Sequence, residues 1–393
     1  IVEYRNMNRL KVLLRSLSTA STQSSRLFYS SSNLLCLKNS QKFNTPNHFL
    51  KRWDIITSLM IFAGLIEEQK DSPLILCIKK GLLDLRDFNP FIEDFVLRFE
   101  GILATKESQY QKADMLYHTA LKMANDLSYK DAETYIFDLM ADNYFEWNDF
   151  EKAKPLYLEV LNRIPKENNF SLEKIPSEAV VEISIKLAYC YSHLGQSDFA
   201  EKGFQFSIDS QLIRVDSFWN DKECRILIKN LNDEQSNSLA LLGMAYDYYS
   251  KYLEQLSSQL LERSLIYRKK AHQISSIING IEHSQTIVLE NNIADIYSRM
   301  EKFDLAKECL HGAIEKAKAI KSKELPILYL NLASIHCQEN RKDLATQFCR
   351  KTISLIEEEN NVSGLNVGGK FSTKERDLLR KKSELCLKGL KFY

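Results

Sequence analysis

Seven histidines and eight cysteines are the residues of this 393-residue chain best suited to metal or nucleophilic chemistry. The cysteines stand at 36, 77, 190, 224, 309, 337, 349 and 386, with no CxxC pair and no His/Cys spacing that builds a zinc site. Several occupy helix-interior positions, as Cys349 does in QFCRKTISLI, and read as buried or idle thiols of a reducing compartment. No HExxH and no triad pattern occurs, and His283 falls at a turn between helices, where capping or packing is expected. Gly364 to Lys370 fits GxxxxGK, but Phe371 replaces the magnesium-binding Ser or Thr and no strand precedes it. The segment reads as a loop before a closing helix. Asp138 and Asp142 are one helical turn apart and could share a cationic ligand. On this reading the protein is not an enzyme: no catalytic residue, metal or cofactor is assigned.

The elements that position these residues are helices. Gly numbers only 12 and Pro 7, too few for the frequent tight turns of most β-sandwiches. A hydrophobic share of 44% with 27% charged residues excludes collagenous, mostly disordered and polytopic membrane classes. The strongest signal is self-similarity. Small residues recur twelve apart as Gly101 and Ala113, Ala141 and Ala153, Ala188 and Ala200, Ala294 and Ala306, and Ala333 and Ala345. Three residues after the first small residue stands Tyr144, Tyr191 or Tyr297, with Ala104 and His336 as the weaker forms. Another unit opens with Gly243 and Tyr246 but has an irregular second half, its partner Ala271 lying much farther on. Two antiparallel helices cross closely only where each offers a small side chain, and an aromatic fills the space beside them. Each pair leaves an apolar face that only the next pair can cover.

This signature resembles that of the tetratricopeptide repeat. It implies an all-α, right-handed superhelical solenoid of hairpins with a C-terminal capping helix. The expected domains are a tetratricopeptide array over 73–360 with about six hairpins, then a flexible loop and the cap over 361–393. In such arrays the first helix of each pair lines the inner face. By register that face carries Tyr135, Asp138, Asp142, Glu182, Tyr189, Asn237, Asp247, Asn291 and Asp295, with Ile185, Met244, Ile327 and Leu330 among them. Clamps for acidic chaperone tails present Lys and Arg there, whereas acids, amides and aromatics suit a basic or amphipathic peptide.

The net charge of +1 hides a division. Residues 1–52 hold nine Lys/Arg and one acid, so they carry +8 and the remainder −7. An acidic body argues against nucleic acid as a partner and favours a basic one. The first methionine is Met7, and residues 1–6 read as upstream sequence or a fragment start. Between Met7 and Trp53 there is no acid; Ser and Thr crowd 16–32, and Leu10, Leu13, Leu14 and Leu17 share one helical face. That composition predicts a mitochondrial transit peptide over 1–52, disordered or cleaved. The apolar run 55–66, within a segment 53–72, is too short for a standard span and predicts an interfacial anchor, a sorting segment or a docked helix.

A more specific likeness lies in the order of four runs. They begin at Ala132 (AETYIFDLMADNYFEWNDFEKAKPLY), Ala179 (AVVEISIKLAYCYSHLGQSDFAEKGF), His283 (HSQTIVLENNIADIYSRMEKFDLAKECL) and Leu325 (LPILYLNLASIHCQENRKDLA). Over Leu74 to Glu359 the chain resembles the mitochondrial tetratricopeptide repeat protein 19 family, EISIKLA and HSQTIVL being the most specific pieces. It departs from the family at His283-Ser284, where His-Pro is expected, and in extra sequence near Phe88 to Asp94. The resemblance implies a non-catalytic factor of the mitochondrial inner membrane that binds respiratory complex III, the cytochrome bc1 complex. It implies a role in assembly and maintenance, including clearance of N-terminal fragments of the Rieske iron–sulfur subunit. The alternative is a generic adaptor for cargo or chaperones, whose forty-residue period resembles that of the kinesin light chain.

Overall fold

A computed structural model describes residues 90–164, 176–361 and 373–387. The segments 1–52 and 53–72 and the Gly364–Lys370 loop, each read above from sequence, lie outside the described residues. The chain divides into two compact units, Ile1–Lys70 and Asp71–Tyr393, and everything described belongs to the second.

Thirteen α-helices run in sequence among the described residues. The first hairpin is α1 (Pro90–Lys106) with α2 (Tyr110–Asp126), and the second α3 (Lys130–Glu146) with α4 (Phe150–Arg163). Then come α5 (Glu178–His193) with α6 (Ser197–Val215), and α7 (Asp233–Leu256) with α8 (Leu261–Ile278). The last pairs are α9 (Ser284–Arg299) with α10 (Phe303–Ala319), and α11 (Leu325–Gln338) with α12 (Lys342–Asn361). The cap, α13 (Thr373–Leu387), packs on both α11 and α12. Each helix packs on its chain neighbours, and the first helices also touch one another, α1 on α3, α5 on α7 and α9 on α11. The product is a helical-repeat solenoid.

Local chemistry sets the hairpins. Ser108, Asn148, Gly195, Glu301 and Asn340 take positive φ between first and second helices. Around Asn148 the Asp149 N–H donates to Tyr144 O and the Asn148 N–H to Phe145 O, which satisfies carbonyls the ending helix leaves open. The same pair of bonds recurs around Ser108, from Gln109 to Ala104 and from Ser108 to Thr105. Helix starts are capped by Asp149, Ser177 and Asn232, and by His283, whose Nδ1 accepts from the Gln285 N–H at 3.2 Å. Ile164, which precedes Pro165, is extended with ψ 126°, as the proline requires, and α4 stops there.

The small residues spaced by twelve are buried at the crossings, Ala141, Ala153, Ala200, Ala306 and Ala333 completely. A Cβ added to Gly101 would lie 2.4 Å from Tyr117 Cε1, so α1 and α2 approach to a distance only glycine allows. The cores are contiguous from one pair to the next: one apolar cluster joins α5, α6, α7 and α8, another α9, α10 and α11, and a third α11, α12 and α13.

Two features depart from the sequence reading. Between α6 and α7 the chain forms a short antiparallel ribbon, β1 (Trp219–Asn220) with β2 (Arg225–Ile226), pairing Trp219 with Ile226 and Asn220 with Arg225. Phe218 and Trp219 are buried in the core, and Asp221 at the turn accepts from Tyr246 of α7 at 2.7 Å and pairs with Lys270 of α8. This insertion, with the long α7, displaces Ala271 from the regular spacing. The second departure is Cys349, which is disulfide-bonded rather than an idle thiol; its partner lies outside the described side chains. Cys349 is buried in the apolar cluster that joins α11, α12 and Leu379 of α13. Cys190, Cys224 and Cys309 are free thiols.

Candidate peptide-binding face

The first helices present a row of polar and aromatic side chains along the array. At its start Arg98 of α1 pairs with Asp94 at 2.7 Å and lies over the Tyr135 ring at 5.4 Å. On α3 the acids Asp138, Asp142 and Glu146 follow one another at four-residue intervals. Asp142 accepts from the Tyr157 hydroxyl of α4 at 2.7 Å and from Lys186 Nζ of α5 at 2.8 Å. Lys186 also pairs with Glu182 at 3.1 Å. Burial opposes the charge of Lys186, but Asp142, Glu182 and Asp138 outweigh it and hold its pKa above the ordinary lysine range.

Next comes an aromatic cluster. Tyr189 is half-buried among Phe145 at 5.5 Å, Tyr248 at 4.9 Å and His193 at 4.5 Å between centroids. Beyond it Asp247 is held by Lys251 at 2.8 Å and by buried Arg268, which also pairs with Glu254 at 2.7 Å. Arg299 of α9 reaches Glu254 at 3.0 Å and Asp295 at 4.0 Å. Asn291 accepts from the Asn331 amide of α11 at 2.8 Å, and Asn237 stands half-buried near the start of α7.

The register reading put nine residues on an open face. Tyr135, Asp138, Glu182 and Asp247 are instead buried, because the first helices press on one another and internal bases draw the acids inward. Asp142, Tyr189, Asn237 and Asn291 are half-buried, and Asp295 is exposed. Lys186 and Arg268 are the members that register reasoning missed. Lys186 had a signal, a lone base four residues after Glu182 within an apolar run. Arg268 had none, since it comes from a second helix and enters the face from behind.

The charge along this face is uneven. Between α7 and α9 the acids Asp247, Glu254 and Asp295 meet the bases Lys251, Arg268 and Arg299. Between α3 and α5 stand four carboxyls: Asp138, Asp142 and Glu182 act on Lys186, and Glu146 feels Lys186 and, from α7, Lys251. Glu146 and Asp295 reach solvent, yet surrounding protein pushes both carboxyls above the usual range. A carboxyl that is accessible and still poorly hydrated is what a concave surface produces.

A stack of helical hairpins with a polar, aromatic inner face defines the class of tetratricopeptide repeat proteins, and the tetratricopeptide repeat profile matches residues 291–318. The chain is similar to tetratricopeptide repeat protein 19, mitochondrial, of Rattus norvegicus, at 29% identity over 65% of this chain and 67% of that protein. It is similar to the Homo sapiens protein of the same name at 30% identity over 64% of this chain and 63% of that one. The chain thus resembles the tetratricopeptide repeat protein 19 family, and its matches span about two thirds of those relatives' length. Among solved structures, that of Rap protein complexed with competence and sporulation factor is similar over 98% of this chain and 99% of that chain. Its TM-score is 0.54 and its identity 11%, a likeness of fold alone.

Proposed function

We propose that the protein is a non-catalytic scaffold of the mitochondrial inner membrane that binds respiratory complex III. It supports assembly and maintenance of the complex, and helps clear the N-terminal fragments left when the Rieske subunit is processed. Two things support this reading. Similarity to mitochondrial tetratricopeptide repeat proteins supports a mitochondrial helical-repeat adaptor. The surplus of carboxyls over bases between α3 and α5, beside the Phe145, Tyr189 and Tyr248 rings, supports the choice of ligand. That surplus carries the proposal. A presequence-derived fragment is basic and amphipathic, so its charges meet the acids while its apolar side chains meet the rings. Cells depleted of the protein are expected to accumulate Rieske N-terminal fragments on the bc1 complex, and re-expression to remove them. Unchanged fragment levels would leave a generic peptide adaptor in its place.

A further inference from the structure

The three acids of α3 stand one turn apart on one helical face, an arrangement of like charges that disfavours the helix carrying them. Glu182 adds a fourth carboxyl from α5; Lys186 is the base on α5 among them, and Lys251 of α7 acts on Glu146. A second observation lies beneath. Asp138 is only 4% exposed, and its Oδ1 is enclosed without a hydrogen-bond partner beside Asp142, Glu182 and Lys186. A buried acceptor with no donor marks a missing donor. The three α3 carboxyls form a gradient from Glu146 at the surface, through half-buried Asp142, to Asp138 on the floor. Phe145, Tyr189 and Tyr248 wall one side with apolar surface. An apolar wall beside a carboxylate floor fits a cation on an aliphatic stem.

We infer that the α3–α5 stretch is a subsite for one lysine or arginine side chain of a bound peptide, received between Glu146 and Asp142 with Asp138 beneath. The inference rests on the reading of this face as the seat of a basic peptide and names the place where its charge is recognised. Arrival of the cation offsets the neighbouring carboxylates that, with burial, raise the Asp138 pKa, so binding draws that pKa down and favours release of its proton to solvent. The groups facing Asp138 are Asp142 on its own helix, Lys186 and Glu182 on α5, and Tyr157 on α4.

The test is calorimetry on the full chain in two buffers of different ionisation heat. The probe is a short capped peptide of leucine, serine and arginine, with a twin carrying neutral citrulline for arginine. The arginine peptide is expected to bind with proton release and the citrulline twin about tenfold more weakly or worse. Glu146→Gln is expected to weaken binding about three- to tenfold. Asp138→Asn is expected to abolish the proton release, with folding of both variants checked by circular dichroism. Arginine-peptide binding that is indifferent to both substitutions overturns the subsite and leaves the face as a peptide seat. Binding of neither peptide overturns the reading of the face, and the subsite with it.

Discussion

At Asp138 burial acts first, and the carboxylates of Asp142 and Glu182 act with it; Lys186 opposes them and loses, so the pKa stands well above the ordinary aspartate value. A raised pKa means that the folded chain holds a proton the unfolded chain gives up. The stability it brings is fully present below about pH 4, the unfolded value, and is lost as pH rises toward the folded value. Asparagine keeps the shape and removes the titration. Asp138→Asn is therefore expected to melt close to the parent near pH 4 and to gain on it progressively toward neutral pH, by about 1 kcal/mol or more. Thermal melts across that range check this; a gap independent of pH, or one favouring the parent at neutral pH, contradicts the account. Lys186 shows the complementary case, a buried base kept charged by the acids around it. None of this was legible from position alone. Asp142 and Lys186 are paired from different hairpins, and whether an acid on a first helix meets solvent or a base is decided by the neighbouring hairpin.

The helical hairpin is the scale at which the sequence speaks most clearly. Close crossing admits few residue types, so Ala141 with Ala153 or Ala294 with Ala306 declare a hairpin wherever they recur, and the structure buries all four. Tyr246 and Tyr297 occupy the aromatic place beside the crossing and are buried as well. What no spacing could reveal is the ribbon at Trp219–Ile226, because it is held by remote partners, Asp221 reaching Tyr246 and Lys270. The crossing argument predicts the effect of a single methyl group. Gly101→Ala drives a Cβ against the Tyr117 ring and is expected to cost about 1–3 kcal/mol. Gly312→Ala meets only the Glu290 carboxyl, 3.1 Å away at the end of a flexible side chain. It also gains helix propensity, so its net change is expected to be within about 0.5 kcal/mol. Denaturant titrations of the two variants check the contrast; equal losses would mean that the α1–α2 approach is not the constraint.

At the scale of the whole molecule, six hairpins and a cap among the described residues build one continuous inner face whose charges are balanced in one stretch and unbalanced in another. An array of this kind binds by laying a partner along many side chains at once, so an unbalanced stretch sets which partner is chosen more than how tightly it is held. On the function proposed above, the excess acid between α3 and α5 chooses a basic one. The most direct measurement is native gel migration of a C-terminally tagged copy in digitonin-solubilised mitochondria, probed beside bc1 subunits, for the parent and for Glu146→Lys. The parent is expected to co-migrate with the dimeric bc1 complex and the variant to be largely lost from it while remaining folded. Migration of the parent apart from the bc1 complex, or full retention of the variant on it, would contradict the account.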